Sequence, residues 1–104
     1  MTEYKIKIAV KARRDIREIH TYVVNKLQEN SIADNLISKI ETEILSLKNM
    51  PLRYALEQDE QLKNRNLRKI IMDNYLIFYT VREKSRTVFI VRVLYARRDW
   101  VNLL

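Results

Sequence analysis

The first apolar residues of the chain recur at every second position: Tyr4, Ile6, Ile8 and Val10. This period of two predicts a half-buried β-strand. From Ala12 onward the spacing changes to steps of three and four, which continue through Ile16, Ile19, Val23 and Leu27. Such spacing places apolar side chains along one stripe of a helix, so the sequence predicts an amphipathic first helix directly after the strand.

A second helix is predicted after a break at Asn30 and Ser31. Ser31 and Asp34 have the spacing of a capping box, with Asp in place of the usual Glu. The helix should run to about Lys48, because Pro51 prevents its continuation. Its expected buried face consists of Ala33, Leu36, Ile37, Ile40, Ile44 and Leu47. A link this short predicts that the two helices pack as an antiparallel hairpin.

The remainder of the chain has the composition of β-strands. Residues 52–66 show no clear period and should form a mostly irregular connection. Runs rich in β-branched and aromatic residues then follow at Leu67–Met72, Tyr75–Arg82 and Thr87–Leu94. Asp73 and Asn74 fit a two-residue hairpin turn, because both tolerate positive φ and this chain has no glycine. A short helix in residues 97–104 would be anchored by Trp100.

These elements predict an α+β fold. Their order is an N-terminal strand, a helical hairpin, a three-stranded antiparallel meander and a short C-terminal helix. The hairpin should cover one face of a four-stranded, mainly antiparallel sheet. A chain of 104 residues is the size of one domain, so we expect residues 1–104 to form a single domain.

Composition excludes several kinds of chemistry. There is no cysteine and only one histidine, His20, so disulfides, thiol nucleophiles and a histidine-built metal centre are not expected, nor is a cofactor. No apolar run approaches the roughly 18 residues that span a bilayer, and the first residues lack the regions of a signal peptide. We therefore expect a cytoplasmic protein without a membrane partner.

Positive charge is concentrated toward the C-terminus. The net charge of the whole chain is +7. Residues 61–104 alone carry ten basic and three acidic side chains, whereas residues 31–60 carry three and six. A basic patch of this size attracts anionic partners, either nucleic acid or an acidic protein.

Arg92 interrupts the apolar row of the last predicted strand. If that strand alternates regularly, Arg92 shares a face with Val88, Ile90 and Leu94. An unpaired guanidinium is costly to bury, so two interpretations are open. Arg92 either forms a salt bridge, to a residue such as Asp73, Glu83 or Asp99, or it lines a concave face that is open to an anionic ligand.

Arginine and aromatic residues are interleaved from residue 92 to residue 100: Arg92, Tyr95, Arg97, Arg98 and Trp100. Guanidinium groups pair with phosphate and aromatic rings stack on bases, as nucleic-acid sites require. The same residue types also form hot spots of protein interfaces. Composition leaves both interpretations open.

The stretch RVLYARRDW (residues 92–100), preceded by NYLIFYTV (residues 74–81), resembles the RelE/ParE superfamily of bacterial type II toxins. In the ParE branch a final strand commonly ends in Arg-Val-Leu-His, with an Arg-Asp pair after it; this chain has Arg-Val-Leu-Tyr at 92–95 and Arg-Asp at 98–99. The resemblance implies a toxin of an addiction or plasmid-stabilisation module, neutralised by a cognate antitoxin encoded beside it. It also implies that the target or antitoxin binds at Arg92, Tyr95, Arg97, Arg98 and Trp100.

Two activities occur in that superfamily. RelE-type members cut mRNA on the ribosome and use Lys, Arg and Tyr side chains for the chemistry. Two charges typical of those nucleases are missing here, where the sequence has Leu67-Arg68-Lys69-Ile70 and Leu76. Arg68, Arg92, Tyr95 and Arg97 remain as a substitute catalytic set.

ParE-type members poison DNA gyrase by binding it, which needs no catalytic residues. The resemblance therefore favours gyrase as the target and leaves ribosome-dependent cleavage as the alternative. Whether the chain is an enzyme depends on this choice. Under either activity, the sequence leads us to expect that Arg92→Ala relieves toxicity and spares the fold.

Overall fold

The computed structural model describes residues 3–104, apart from the side chain of Lys63. The elements follow the predicted order: β1 (Lys5–Ile8), α1 (Val10–Leu27), α2 (Asn30–Ser46), β2 (Arg68–Met72), β3 (Tyr75–Arg82), β4 (Thr87–Tyr95) and α3 (Trp100–Leu103). The predicted α+β fold is confirmed. Residues 47–67 form a mostly irregular connection with two short 3₁₀ turns, as the lack of a period indicated.

The four strands form one sheet in the order β1-β4-β3-β2. The meander β2-β3-β4 is antiparallel, and β1 pairs in parallel with the first half of β4. The tight turns need residues with positive φ, and Asp73 (φ 52°) and Arg86 (φ 48°) take that conformation in the absence of glycine. The predicted Asp-Asn hairpin turn between β2 and β3 is thus present.

The helical hairpin differs in detail from the prediction at its turn. α1 ends where Gln28 adopts a left-handed conformation (φ 51°), and α2 already begins at Asn30. The capping box expected at Ser31 and Asp34 is therefore wrong. The Ser31 hydroxyl donates to the side chain of Glu29 instead, and Asp34 lies 2.8 Å from Nε2 of His20 on α1. This side-chain hydrogen bond links the two helices to each other.

The main core lies between the helical hairpin and one face of the sheet, which we call the inner face. Its buried members come from both layers: Ala12, Ile40, Ile44, Leu47, Ile70, Met72, Ile77, Tyr79, Val88, Ile90 and Val93. Burial of this apolar surface is the main stabilising contribution to the fold. Tyr79 is the largest polar member, and its hydroxyl donates to the carbonyl of Pro51 at 2.6 Å.

A second, smaller cluster lies on the opposite, outer face of the sheet. Its buried members are Leu67, Leu76, Phe78 and Leu94, and α3 packs against them through Trp100, Leu103 and Leu104. A four-residue helix has no stability of its own, so α3 is held in place by this packing. The short C-terminal helix anchored by Trp100 is thus confirmed.

The predicted regular alternation along β4 is wrong because the strand contains a β-bulge. Phe78 of β3 pairs with Arg92, but the next residue, Tyr79, pairs with Ile90. Val91 is therefore an extra residue, which reverses the alternation beyond it. As a result Val93 joins the inner core, while Leu94 belongs to the outer cluster.

Candidate functional site

The second half of β4, residues 91–95, has an open edge because β1 is short. β1 pairs only with Thr87 to Ile90, and α1 begins immediately after it. An unpaired strand edge leaves backbone N–H groups that need other partners. Asp15 of α1 supplies one: its Oδ2 accepts a hydrogen bond from the backbone N–H of Val93 at 3.0 Å.

Asp15 also holds Arg92 in a two-point ion pair. Nε of Arg92 donates to Oδ2 of Asp15 at 2.7 Å, and Nη2 donates to Oδ1 at 2.8 Å. The two side chains are only 16% and 7% exposed. The hydrogen bond to Asp15 raises the pKa of Arg92 above its usual value, although burial opposes that shift. The arginine is therefore permanently charged.

The third nitrogen of Arg92 fixes the C-terminal helix. Nη1 donates to the carbonyl of Leu103 at 2.8 Å, so Arg92 links α1, β4 and α3. The sequence-based interpretation that Arg92 meets a carboxylate is confirmed, but the partners named for it are wrong. Asp73 lies 3.7 Å from Lys39, and Asp99 accepts from Asn102. The correct partner is on α1, because that helix crosses the open edge of β4.

A groove of about 860 Å³ lies between α1, the start of β3 at Tyr75 and the end of β4 at Tyr95; we call it the α1 groove. It is lined by Asp15, Glu18, Ile19, Tyr22, Val23, Lys26, Leu27, Asn74, Tyr75, Val93, Leu94, Tyr95 and Arg98. The α1 residues follow the helical spacing of three and four, so the apolar stripe of α1 continues past the end of the sheet. Tyr22 and Leu27 remain 62% and 53% exposed there.

Aromatic and charged side chains give the α1 groove its character. The rings of Tyr75 and Tyr95 meet edge to face with centroids 5.7 Å apart. Burial, and then the neighbouring Tyr95 and Tyr22, raise the pKa of Tyr75, so this phenol stays neutral at physiological pH. Lys26 and Arg98 line the same groove as cations, and Glu18 lines it as an anion, whereas Asp15 is paired with Arg92. The groove can therefore accept an apolar segment that also carries negative charge.

Trp100 lies on the other side of the sheet from the α1 groove. Its ring centroid is 5.3 Å from that of Phe78, and Nζ of Lys69 lies 5.0 Å from it. Lys69 is also paired with Glu57 at 2.9 Å. Trp100 therefore anchors α3 to the outer cluster, and much of its ring is already covered.

The other predicted site residues, Arg68, Arg97 and Arg98, do not form one cluster. Nη1 of Arg68 donates to the carbonyls of Leu52 and Tyr54, at 3.2 and 2.5 Å, and so holds the irregular connection against the sheet. Arg97 and Arg98 are exposed, and neither forms an ion pair within residues 3–104. Of the predicted site residues, only Tyr95 and Arg98 line the α1 groove. Arg92 does not line it but donates to Asp15, which does.

The contribution of α1 to the site was not predicted from the sequence. Asp15 falls on the apolar stripe, three residues after Ala12 and four before Ile19. A carboxylate at such a position is costly to bury alone, so it was a signal that a cation would meet it. Tyr22 and Lys26 gave no comparable signal, because exposed residues of these types are common on helices.

The described residues contain neither a metal cluster nor a membrane-spanning helix. Within residues 3–104 no cluster of three or more His, Asp or Glu side chains is arranged to hold a metal ion. In the same part of the chain, no helix has both the length and the apolar character needed to cross a membrane.

Solved structures similar to this one are toxins of toxin–antitoxin systems. The chromosomal ParDE system of P. aeruginosa matches with a TM-score of 0.75 at 16% identity, covering 91% of this chain and 98% of the other. The RelBE2 toxin–antitoxin complex of Mycobacterium tuberculosis matches with a TM-score of 0.68 at 19% identity, covering 89% and 98%. A mutant of the E. coli toxin RelE in the free state gives 0.62 at 15% identity, covering 99% and 93%. At identities of 15–19%, these similarities show a shared fold.

A family model identifies the chain more closely. Residues 6–100 match the ParE toxin of the type II toxin–antitoxin system parDE, and no curated protein matches by sequence. Because the match covers most of the 104 residues, the chain belongs to the ParE toxin family of type II toxin–antitoxin systems. The resemblance drawn from residues 74–81 and 92–100 is confirmed at the level of the superfamily and of the ParE branch.

Proposed function

We propose that this chain is a single-domain cytoplasmic toxin that inhibits growth by binding DNA gyrase and trapping it on cleaved DNA. The observation that carries the proposal is that the residues available for RNA cleavage do not converge on one site. A toxin that acts by binding needs no catalytic set. Membership of the ParE family supports the same choice.

The separation of the nuclease candidates follows from the strand register. Arg68 pairs with Tyr79, whereas Tyr95 pairs with Tyr75, four residues earlier in β3. At about 3.4 Å per residue and about 4.8 Å between strands, the backbones of Arg68 and Tyr95 are roughly 16 Å apart. Both side chains would have to extend toward each other to contact one scissile phosphate, whereas Arg68 is turned to the carbonyls of Leu52 and Tyr54.

Two of the four candidates are also occupied. The three side-chain nitrogens of Arg92 donate to Asp15 and to the carbonyl of Leu103. Arg68 donates to two carbonyls of the irregular connection. Stabilising a phosphoryl transition state requires donors that are aimed at the reacting group, and these donors point into the protein.

The second candidate function is cleavage of mRNA on the ribosome. The observation that favours it is that Tyr95 lies beside the exposed Arg97 and Arg98 at the end of β4. A phenol with two neighbouring cations is a minimal set for moving a proton and neutralising a phosphate. No further catalytic residue is assigned to this alternative.

Assays with the purified toxin distinguish the two functions. Incubation with gyrase and supercoiled DNA should increase the amount of cleaved DNA, and translated mRNA should remain whole. Arg97→Ala with Arg98→Ala should reduce the cleaved DNA, because these are exposed cations without ion-pair partners in the described chain. Cuts in mRNA that appear only in translating ribosomes, without cleaved DNA, would establish the second function instead.

We also propose that the α1 groove binds the cognate antitoxin. Similar structures are named as a ParDE system and as RelBE toxin–antitoxin complexes. An amphipathic antitoxin segment would place apolar side chains against Tyr22, Leu27 and Tyr75. Its acidic side chains would meet Lys26 and Arg98, which are the cations of the groove.

A further inference from the structure

Part of the outer sheet face is not covered by α3 and is basic. We call it the basic sheet face: Lys5, Lys7, Thr80, Arg82 and Phe89. Their neighbours Ile6, Ile8, Val81, Val88 and Ile90 pack in the inner core. Because side chains alternate along a strand, the members of the basic sheet face project from the outer side.

The strand register brings these residues together. Lys7 of β1 pairs with Phe89 of β4, and Phe89 pairs with Thr80 of β3. Nζ of Lys7 lies 5.9 Å from the centroid of the Phe89 ring, and Cζ of Arg82 lies 5.1 Å from it. Both distances are within the range of cation–π attraction. Both cations thus lie beside a single ring.

The charges of this face are not neutralised within the protein. Lys5, Lys7 and Arg82 are exposed, and none of them forms an ion pair in the part of the chain that the structure describes. Three cations of one sign on a rigid sheet create a positive potential that attracts an external polyanion.

The polarity of the face favours nucleic acid over protein as the partner. None of the large, exposed apolar side chains found in residues 3–104 belongs to it. Protein interfaces need an apolar or aromatic centre that becomes fully buried, and the only ring here is already flanked by cations. Interfaces with DNA are more polar, more positive and dominated by phosphate contacts.

We propose that the basic sheet face binds the phosphate backbone of duplex DNA, with Lys7 and Arg82 each neutralising one phosphate. The contact is with DNA itself and is independent of sequence, because contacts to phosphate carry no sequence information. This binding is separate from recognition of gyrase and from the α1 groove, and it is measured without either partner.

The test is the salt dependence of DNA binding by the full chain. Fluorescence anisotropy of a labelled 20-base-pair duplex would be measured between 50 and 200 mM salt for the wild type and for Lys7→Gln with Arg82→Gln. Removing two phosphate contacts should lower the slope of log K against log salt by about 1.8. The wild type should therefore lose roughly twelvefold more affinity than the variant over this range.

The matched control is Arg14→Gln with Arg17→Gln. These exposed residues of α1 also remove two charges, but the helix lies on the inner side of the sheet. We expect this control to keep the wild-type slope. Phe89→Leu keeps both cations and removes the ring, so it should weaken binding at 50 mM salt without a change in slope.

Several results would overturn the proposal. One is an equal reduction of the slope in both double variants, which would mean that only net charge matters. Another is tighter binding to duplex RNA of the same sequence, which would make RNA the ligand. Thermal melting of each variant would show whether the protein still folds. Each single substitution should change the slope by about 0.9, which separates loss of one phosphate contact from loss of folding. The gyrase cleavage assay tests the proposed function separately, so its outcome does not depend on these results.

Discussion

At the scale of single residues, Asp15 and Arg92 are the most consequential pair in the protein. Asp15 accepts three hydrogen bonds, two from Arg92 and one from the backbone of Val93. Breaking a buried ion pair by removing one partner leaves a buried charge without compensation, and such changes are strongly destabilising. The expectation drawn from the sequence, that Arg92→Ala spares the fold, is therefore replaced by its opposite.

We predict that Arg92→Ala lowers the free energy of unfolding by about 3–5 kcal/mol, because Asp15 is left buried and α3 loses its link to β4. Urea denaturation would measure the change. Arg97→Ala is the control: it removes the same charge from an exposed site and should change stability by less than about 0.5 kcal/mol. Equal stability of the two variants would mean that the ion pair contributes nothing to the fold.

Tyr79 gives the fold a defined sensitivity to alkali. Burial raises the pKa of Tyr79 from 10.0 to about 12, although the nearby Arg68 and Arg53 oppose the shift. The neutral phenol is thus favoured in the folded state. The stability linked to this raised pKa is complete below pH 10, and it is lost as the pH rises toward 12.

We predict that Tyr79→Phe costs about 1 kcal/mol at pH 7, since the hydrogen bond to Pro51 is lost. At pH 11 the wild type should have lost about 1.4 kcal/mol through this titration, which the variant cannot lose. The two proteins should therefore become similarly stable in urea at pH 11. A stability difference that is the same at pH 7 and pH 11 would show that Tyr79 titrates normally.

At the scale of elements, the irregularities of β4 decide how the site is built. The strand pairs with β1 only as far as Ile90, has a bulge at Val91 and then runs with an open edge. That open edge is where α1 and α3 reach the sheet from opposite sides. A longer β1 would cover this edge, where Asp15 accepts from Arg92 and from the backbone of Val93.

α3 is an element whose position depends wholly on its contacts, and Trp100 provides the largest of them. We predict that Trp100→Ala costs about 2–3 kcal/mol, less than for a fully buried tryptophan because the side chain is partly exposed. Trp100→Phe keeps the contact with Phe78 and should cost less than about 1.5 kcal/mol. Urea denaturation followed by circular dichroism would measure both. Equal effects of the two variants would show that Trp100 does not anchor α3 through its ring contacts.

At the scale of the whole molecule, the two surfaces for which we propose partners lie on opposite sides of the sheet. The α1 groove combines exposed apolar and aromatic side chains with Lys26 and Arg98. The basic sheet face is polar and cationic. The charge distribution along the sequence suggested one basic C-terminal region, but folding brings Lys5 and Lys7 of β1 beside Arg82. A partner in the groove thus leaves the outer face accessible.

We predict that Leu27→Glu abolishes binding of the cognate antitoxin, because it places a charge in the apolar part of the α1 groove. Leu45→Glu is the matched control, since Leu45 is 52% exposed on α2 and Leu27 is 53% exposed on α1. Co-purification of the antitoxin with each variant would measure the effect. If Leu45→Glu, and not Leu27→Glu, releases the antitoxin, the antitoxin binds elsewhere.

The fold was predictable because local signals agreed along most of the chain. The alternation before Ala12, the helical spacing after it and the β-rich meander defined the elements, and Tyr75–Arg82 was predicted with its observed limits. The capping box failed because the Ser31 spacing competes with an earlier start at Asn30. Sequence spacing alone does not decide between such alternatives, since both satisfy the same local rules.

The sequence by itself determined the elements, the positive charge of the C-terminal part and the motif in residues 92–100 by which the family is recognised. Only the tertiary structure decided which of these residues are available to a partner. Arg92 and Trp100 belong to the motif, yet their side chains are engaged within the protein by Asp15 and Phe78. Those partners are distant in sequence, and a one-residue bulge changes which face a side chain occupies. Contacts of this kind depend on how the helices and the sheet pack, so no local pattern encodes them.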